Sequence, residues 1–378
     1  MSEPDKIVVV ACMKPDSKTG VTTYYTLLQE HLKDFELTTV TPSDAPWLTR
    51  KLATAYYLLF TRLFPNNAFV VTRYYLFLLR FALKRKIGNE KVRIFHAQDP
   101  ISAFAVRRIF KESQIVTTCH IDNPVTELQI KYKLSPSQID QLNKQFKTFF
   151  NTSNQFICVS QYVIEKSTCL FPAHVPVSLV YNAVNFQKIG RHTREKKDGK
   201  IVITNCGTLD NRKNQRLLIE LAKELVQLNF SNFEIWLIGA GANYDTYKEL
   251  IQQYKLNDFV KLLGWVDNPW EIISQSHIYI HTATNEAFGY AIIEAIAAGT
   301  FAVGIDSGGI GEVLGKEGVV SLDEAKEKFK ELILSCDLKG IEMKTISQYN
   351  RALQKFDTEN WQKQHSDIYK SRLEYVKN

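Results

Sequence analysis

The chain alternates short, β-branched apolar runs with longer stretches in which apolar residues return at helical spacing. In the first half the runs are KIVVVAC (6–12), FELTTVT (35–41), VRIFHAQ (92–98), QIVTTCH (114–120), QFICVS (155–160) and SLVYNAV (178–184). In the second half come KIVITNCG (200–207), FEIWLIG (233–239), FVKLLGW (259–265), HIYIHTA (277–283) and FAVGID (301–306). Near-continuous apolar strands separated by helices predict parallel sheets covered on both faces, here twice over. The expected fold class is therefore α/β. Its 378 residues exceed the size at which a single core keeps growing, which also points to two domains. Between the two sets of strands, NFQKIGRHTREKKDGK (185–200) is polar, charged and strand-poor, as expected of a linker. No repeat of solenoid period and no low-complexity tract is visible.

Charge changes this picture in one place. Residues 1–190 hold 23 Lys and Arg against 14 Asp and Glu, so the whole excess of the +7 chain lies in the first half. Within it, residues 50–111 carry 13 cations and two acids, Glu90 and Asp99. Such asymmetry predicts an anionic partner surface. The aromatics there, Tyr56, Tyr57, Phe60, Tyr74, Tyr75 and Phe77, accompany Leu at helical spacing, which suits a core or membrane face better than base stacking. A peripheral membrane surface is expected and nucleic acid is not. Arg80 interrupts YYLFLLRFALK well short of the ~20 residues of a spanning helix. The N-terminus has acids where a signal peptide needs cations, and the six cysteines are scattered. Both features predict a cytoplasmic protein with reduced thiols, and the basic segment adds a peripheral place on the inner face of the plasma membrane.

Ligands of parallel sheets bind beyond the carboxyl ends of strands, so residues there carry the candidate chemistry. After HIYIHTA comes TNEAFGYAIIEAIAAGT (284–300), with Glu286 on a loop and Glu294 inside the next helix. The N–H groups of Phe288, Gly289 and Tyr290 would open that helix as an anion site. Two carboxylates that accept from hydroxyls, beside an anion cradle, suit a sugar joined to a phosphate. After KIVITNCG, the loop carries Arg212 and Lys213, two cations able to hold a diphosphate and neutralise it on departure. Gly239 and Gly241 sit in a third strand-to-helix turn, but Tyr244 stands where a dinucleotide fingerprint needs its last glycine. With no D-x-D and no metal-spaced His/Cys cluster, neither a metal nor any other cofactor is expected.

Taken in order, Gly207, Leu209 and Lys213, then LIGAG, LLGWVDN, the seven-residue gap between Glu286 and Glu294, and SGGIGEVL resemble the retaining glycosyltransferases of family four. SKTGVTTYY, VTTCH, ICVSQYV and the tail FDTENWQKQHSDIYKSRL extend the likeness almost end to end. The resemblance implies a GT-B fold, two Rossmann-like domains with parallel sheets facing across a cleft. It implies an acceptor-binding domain over 1–184, a linker over 185–199, a nucleotide-sugar domain over 200–355, and a C-terminal helix over 356–378 crossing back to the first domain. Under it, Glu286 would bond hexose hydroxyls and Glu294 the nucleotide ribose. Phe288, Gly289 and Tyr290 would supply backbone donors, while Gly207, Gly239 and Gly241 would line the nucleotide site. Lys213 and Arg212 would grip the diphosphate, Gly20 would give it room, and His120 would stand at the reaction centre. Thr208 replaces the arginine usual after the first glycine, which leaves the second cation to Arg212. His96 and His281 read as structural.

The resemblance implies retaining, metal-independent hexosyl transfer from a nucleotide-diphosphate sugar to a lipid-linked or cell-envelope glycan acceptor. A small soluble acceptor is an alternative, and so is a catalytically weak membrane-docking component of a glycosylation complex.

Overall fold

The computed structural model describes residues 4–377 except Pro15, Lys18, Pro65, Asn66 and 191–198. The chain divides into two compact units, one of residues 1–181 and 361–378, the other of 182–360. Each unit is built on a six-stranded, all-parallel sheet.

In the first unit the strands are β1 Lys6–Val10, β2 Glu36–Val40, β3 Ile94–Ala97, β4 Gln114–Cys119, β5 Gln155–Cys158 and β6 Val177–Leu179, in the order β2-β1-β3-β4-β5-β6. Because β1 pairs with β2 on one side and β3 on the other, the order reverses at β1/β3. That reversal opens a crevice at the carboxyl ends of the strands. Val8, Val10, Phe95 and Ile115 are fully buried beneath helices, which is why these strands read as unbroken apolar runs. Helix α1, Gly20–His31, follows β1, and α2, Trp47–Leu63, and α3, Phe69–Lys86, carry the basic segment.

In the second unit β7 Ile201–Cys206, β8 Phe233–Ile238, β9 Val260–Gly264, β10 Ile278–His281, β11 Phe301–Ile305 and β12 Val319–Val320 lie in the order β12-β11-β10-β7-β8-β9. Here the order reverses between β7 and β10, which pair through Ile203 and Ile278. The two loops carrying Lys213 and Glu286 leave the sheet on either side of this reversal.

Every predicted strand is present, though β6 is shorter than expected, and β12 was too short to show any pattern. The polar segment after Ala183 opens as structure rather than as a linker. Val184 donates its N–H to Phe356 O at 3.1 Å, and Asn185 caps a short helix, Phe186–Ile189, through Lys188 N at 2.8 Å. Phe186 and Ile189 are buried, apolar residues that the surrounding charge had masked. Of the rest of the expected linker, residues 191–198 lie outside the described residues. Among the described residues no helix is long and apolar enough to cross a membrane.

Candidate functional site

The site of the second unit is assembled by two loops bonded to each other. After β7, Asp210 Oδ1 accepts from Lys213 N at 2.8 Å and so turns the chain that presents Arg212 and Lys213. After β10, Thr282 Oγ1 donates to Lys213 O at 2.7 Å, and Thr284 N donates to Arg212 O at 2.9 Å. These bonds bring residues roughly 70 positions apart to one point. There Lys213 Nζ and Glu286 Oε2 form a short ion pair, with Arg212 Nη1 3.5 Å from the same oxygen and 3.1 Å from Asn285 O. Burial would push Glu286 up, but the Lys213 ammonium and the neighbouring His281 outweigh it and hold the carboxyl well below the usual carboxylate range.

Glycines let this loop system close. Gly308 has φ +61°, and a Cβ there would stand 2.0 Å from Glu286 O, while Gly309 N donates to that oxygen at 2.8 Å. Gly239 and Gly241 press on the first loop, where added Cβ atoms would meet Gly207 O at 1.9 Å and Leu209 O at 2.4 Å. Their absent side chains thus serve packing between turns, a role the sequence did not suggest.

Gly289, at φ +104°, ends the second loop and opens the helix Tyr290–Ala297, whose N-terminus has no side-chain cap. Phe288, Gly289 and Tyr290 stand where the sequence placed them. Phe288 is itself buried, its ring 5.5 Å from that of Phe356. Glu294 lies on the second turn of that helix, and burial pushes its carboxyl up to about 7. Among the described residues no cation pairs with it. The two acids therefore differ, one paired and ionised, the other titrating near neutrality.

Gly20 and His120 belong to the first unit. Gly20 opens α1 behind Thr19, whose side chain caps Thr22 N while Thr22 Oγ1 accepts from Thr19 N at 3.0 Å. His120 follows β4, with Nε2 2.9 Å from Gln98 Oε1 and its ring edge-on to Tyr24 at 4.8 Å. Burial lowers its pKa to about 3, so the imidazole is neutral and acts as a hydrogen-bonding group. His96 is structural as expected, bonded through Nε2 to Thr118 Oγ1 at 2.7 Å and through Nδ1 to Tyr369. His281 is different: its Nε2 stands 3.8 Å from Glu286 Oε2. One signal pointed there, since Tyr279 and His281 put two polar groups on the same face of an apolar strand.

Comparison with known proteins adds the following. The family model described as "Glycosyltransferase Family 4" matches residues 19–188, and that described as "Glycosyl transferases group 1" matches residues 187–352. One component of the human phosphatidylinositol N-acetylglucosaminyltransferase is 29% identical over 277 residues, 72% of this chain and 54% of that protein. The Campylobacter jejuni N-acetylgalactosamine-N,N'-diacetylbacillosaminyl-diphospho-undecaprenol 4-alpha-N-acetylgalactosaminyltransferase is 27% identical over 161 residues, 41% of this chain and 42% of that protein. The chain thus spans about half the length of the curated relatives it matches. Among solved structures, Anabaena Alr3699/HepE in complex with UDP superposes with a TM-score of 0.66 at 16% identity, over 97% of this chain and 100% of that one.

Proposed function

The chain belongs to the group 1 glycosyltransferases of family four, and from that premise we propose that it transfers a sugar from a UDP-sugar to a lipid-anchored acceptor. The observation that carries this reading is the convergence of Lys213, Arg212 and Glu286 at the β7/β10 reversal, beside an uncapped helix N-terminus. Two cations and a helix N-terminus suit a diphosphate. A buried, ionised carboxylate suits hydroxyl donors of a hexose, and Glu294 suits the ribose. UDP is favoured as the carrier by the UDP bound to Alr3699/HepE, and an N-acetylhexosamine by the curated relatives.

In the proposed reaction the bond from the sugar's anomeric carbon to the diphosphate oxygen breaks, and the acceptor oxygen bonds to the same carbon from the same face. The acceptor's proton passes to the departing phosphate oxygen, so configuration is retained and no enzymic base is required. Lys213 and Arg212 neutralise the leaving group in place of a metal. Within the first unit, neutral His120 serves as a hydrogen-bonding group for the acceptor.

A lipid acceptor is supported by the first unit's surface. Trp47, Leu48, Leu52, Leu58, Leu59 and Leu63 of α2 are all more than half exposed, and Ala53 is the residue it buries. Arg50, Lys51, Arg62, Arg73, Arg80, Lys84 and Arg85 surround them on α2 and α3, with no acid on either helix. Apolar side chains among cations suit the interface of an anionic membrane, and a peripheral place on a cytoplasmic membrane face follows.

Thermal stabilisation by UDP, UDP-N-acetylglucosamine, UDP-glucose and GDP-mannose tests the reading. A ligand at 100 times its Kd adds about 2.7 kcal/mol. The UDP compounds are expected to raise Tm with or without EDTA. No shift with any of the four overturns the reading, and a shift abolished by EDTA overturns its metal-free part.

A further inference from the structure

The proposed roles leave one buried side chain of the site unused. His281 closes β10 at 1% exposure, and its Nε2, 3.8 Å from Glu286 Oε2, has no partner within hydrogen-bond distance among the described residues. Its Nδ1 lies 3.2 Å from the Tyr279 hydroxyl, which also reaches Cys206 O at 3.2 Å. On β11 the residue in register with His281 is Gly304, where a Cβ would stand 3.1 Å from the His281 Cβ. The sheet thus leaves room for a side chain at 281, and the imidazole Nε2 faces the Glu286 carboxylate just beyond hydrogen-bond distance.

Glu286 is at present served by Lys213 and Arg212. On the UDP-sugar reading, which this inference deepens and rests on, those two cations are also the ones that take the diphosphate. A diphosphate brings more negative charge than one carboxylate, and the Lys213 ammonium rides on a flexible four-carbon stem. Once it turns to the phosphates, Glu286 is a largely buried carboxylate without its cation, the costliest state for such a group.

We propose that His281 is a positioning residue that takes over Glu286 when the donor arrives. As Lys213 turns to the diphosphate, the His281 Nε2–H closes the gap to Oε2 and keeps the carboxylate ionised and aimed at the sugar hydroxyls. A carboxylate can only accept, so Glu286 favours the tautomer that carries the proton on Nε2, and the Tyr279 hydroxyl, whose single proton reaches Cys206 O or Nδ1, then turns it to Nδ1. The groups facing the ring are Tyr279 on its own strand, Cys206 O at the end of β7, and Glu286, Lys213 and Arg212 on the loops. Burial keeps the imidazole neutral, with Lys213 and Arg212 reinforcing that and Glu286 opposing it.

The test measures UDP binding by calorimetry, and UDP-N-acetylglucosamine turnover against pH, for the natural protein, His281→Leu, His281→Gln and Tyr279→Phe. His281→Leu is expected to bind UDP within about twofold of the natural protein, because UDP presents no sugar to Glu286. Its kcat should fall about tenfold or more, the lower part of the range for removing one electrostatic partner. The acid limb of its kcat profile should move to higher pH, because Glu286 has lost a donor to its charged form. His281→Gln, whose amide N–H reaches the same carboxylate, should recover most of the loss. Unchanged kcat and profile in His281→Leu overturn the proposal. Parallel loss of UDP binding and Tm, or no recovery in His281→Gln, does so too, since either marks a packing role. If His281→Leu does not fold, Tyr279→Phe decides. A severalfold fall in kcat with UDP binding retained supports the proposal, and an unchanged kcat overturns it. A natural protein that binds neither UDP nor the UDP-sugar removes the UDP-sugar reading and this inference together. Normal UDP binding with an indifferent His281 removes the inference alone.

Discussion

Lys213 and Glu286 form an ion pair at the carboxyl end of the second sheet, with side chains only 14% and 16% exposed. A pair so withdrawn from water is expensive to break, because whichever member remains keeps its charge without its partner. On the proposed function one of the two would bind phosphate and the other sugar, so the ion pair holds two binding groups against each other.

Replacing Lys213 by Ala should therefore cost both activity and stability. Turnover is expected to fall a hundredfold or more, as for removal of one transition-state partner, and Glu286→Ala should do the same. Lys213→Ala should also lose about 3 kcal/mol of stability at pH 7, with Glu286→Gln losing less. Glu286 is held below its unfolded value, so its contribution is complete above the ordinary carboxylate range of about 4.3 and is lost only as pH falls through the lower folded value. Chemical denaturation at pH 7 and at pH 3 checks the sign: the gap between Lys213→Ala and the natural protein should narrow in acid.

Glu294 behaves in the opposite sense. Its folded value of about 7 lies above the unfolded one, so the folded state holds the proton more tightly and stability declines as pH rises from about 4.5 to 7. The full span amounts to at most about 3 kcal/mol. Glu294→Gln should have a nearly natural Tm at pH 5 and a higher one at pH 8, while binding UDP more weakly. Equal Tm differences at both pH values would contradict a buried, unpaired carboxyl.

Vesicle binding should depend on α2 more than on the end of α3. Lys86 is partly spent, its Nζ 2.9 Å from Asp44 Oδ1, whereas Leu52, Leu59 and Leu63 are free to insert. Leu52, Leu59 and Leu63 changed together to Ser should abolish co-sedimentation with anionic vesicles. Changing Arg62, Arg73, Arg80 and Lys84 to Ser should weaken it by about 1 kcal/mol each and lessen its salt dependence. Equal partition onto neutral and anionic vesicles, or none onto either, counts against the membrane surface.

Gly308→Ala should disturb the site from outside it. The new methyl would meet Glu286 O at 2.0 Å in a backbone that already disfavours a side chain, so a loss above about 1 kcal/mol is expected, with weaker UDP-sugar binding. Gly264→Ala is the control: φ is +69° there and nothing lies within 4 Å of the added Cβ. Similar Tm and binding losses in both variants would show that backbone strain alone accounts for the effect.

The strands were legible because parallel sheets buried on both faces must be written as apolar runs, and the spacing of Glu286 and Glu294 placed them on a loop and a helix turn. What the sequence hid has two causes. Some partners are set by pairings between distant loops: the bonds from Thr282 and Thr284 to the Lys213 loop bring Glu286 to the cations, and the same folding leaves His281 beside it. Other features were drowned by their neighbours, as Phe186 and Ile189 were by a charged segment and the exposed leucines of α2 by an ordinary helical period. Gly239 and Gly241 stood out in the sequence, but their contact with the turn after β7 did not.

The last helix, Thr358–Lys377, carries a consequence for synthesis. Its residues from Trp361 onward belong to the first unit, where Trp361, His365 and Tyr369 are buried. The Tyr24 hydroxyl bonds His365 Nε2 at 2.5 Å, its ring meets Trp361 edge-on at 5.2 Å, and His96 Nδ1 bonds Tyr369. The first unit therefore cannot complete these contacts until Trp361, His365 and Tyr369 have been translated. Elongation from Tyr181 to Trp361 takes on the order of 10 to 40 s at the usual rate, and throughout it Tyr24 and His96 await partners still to be translated. The second unit, continuous from 182 to 360, has its whole sequence translated before the first unit does, unlike a chain whose N-terminal domain is contiguous.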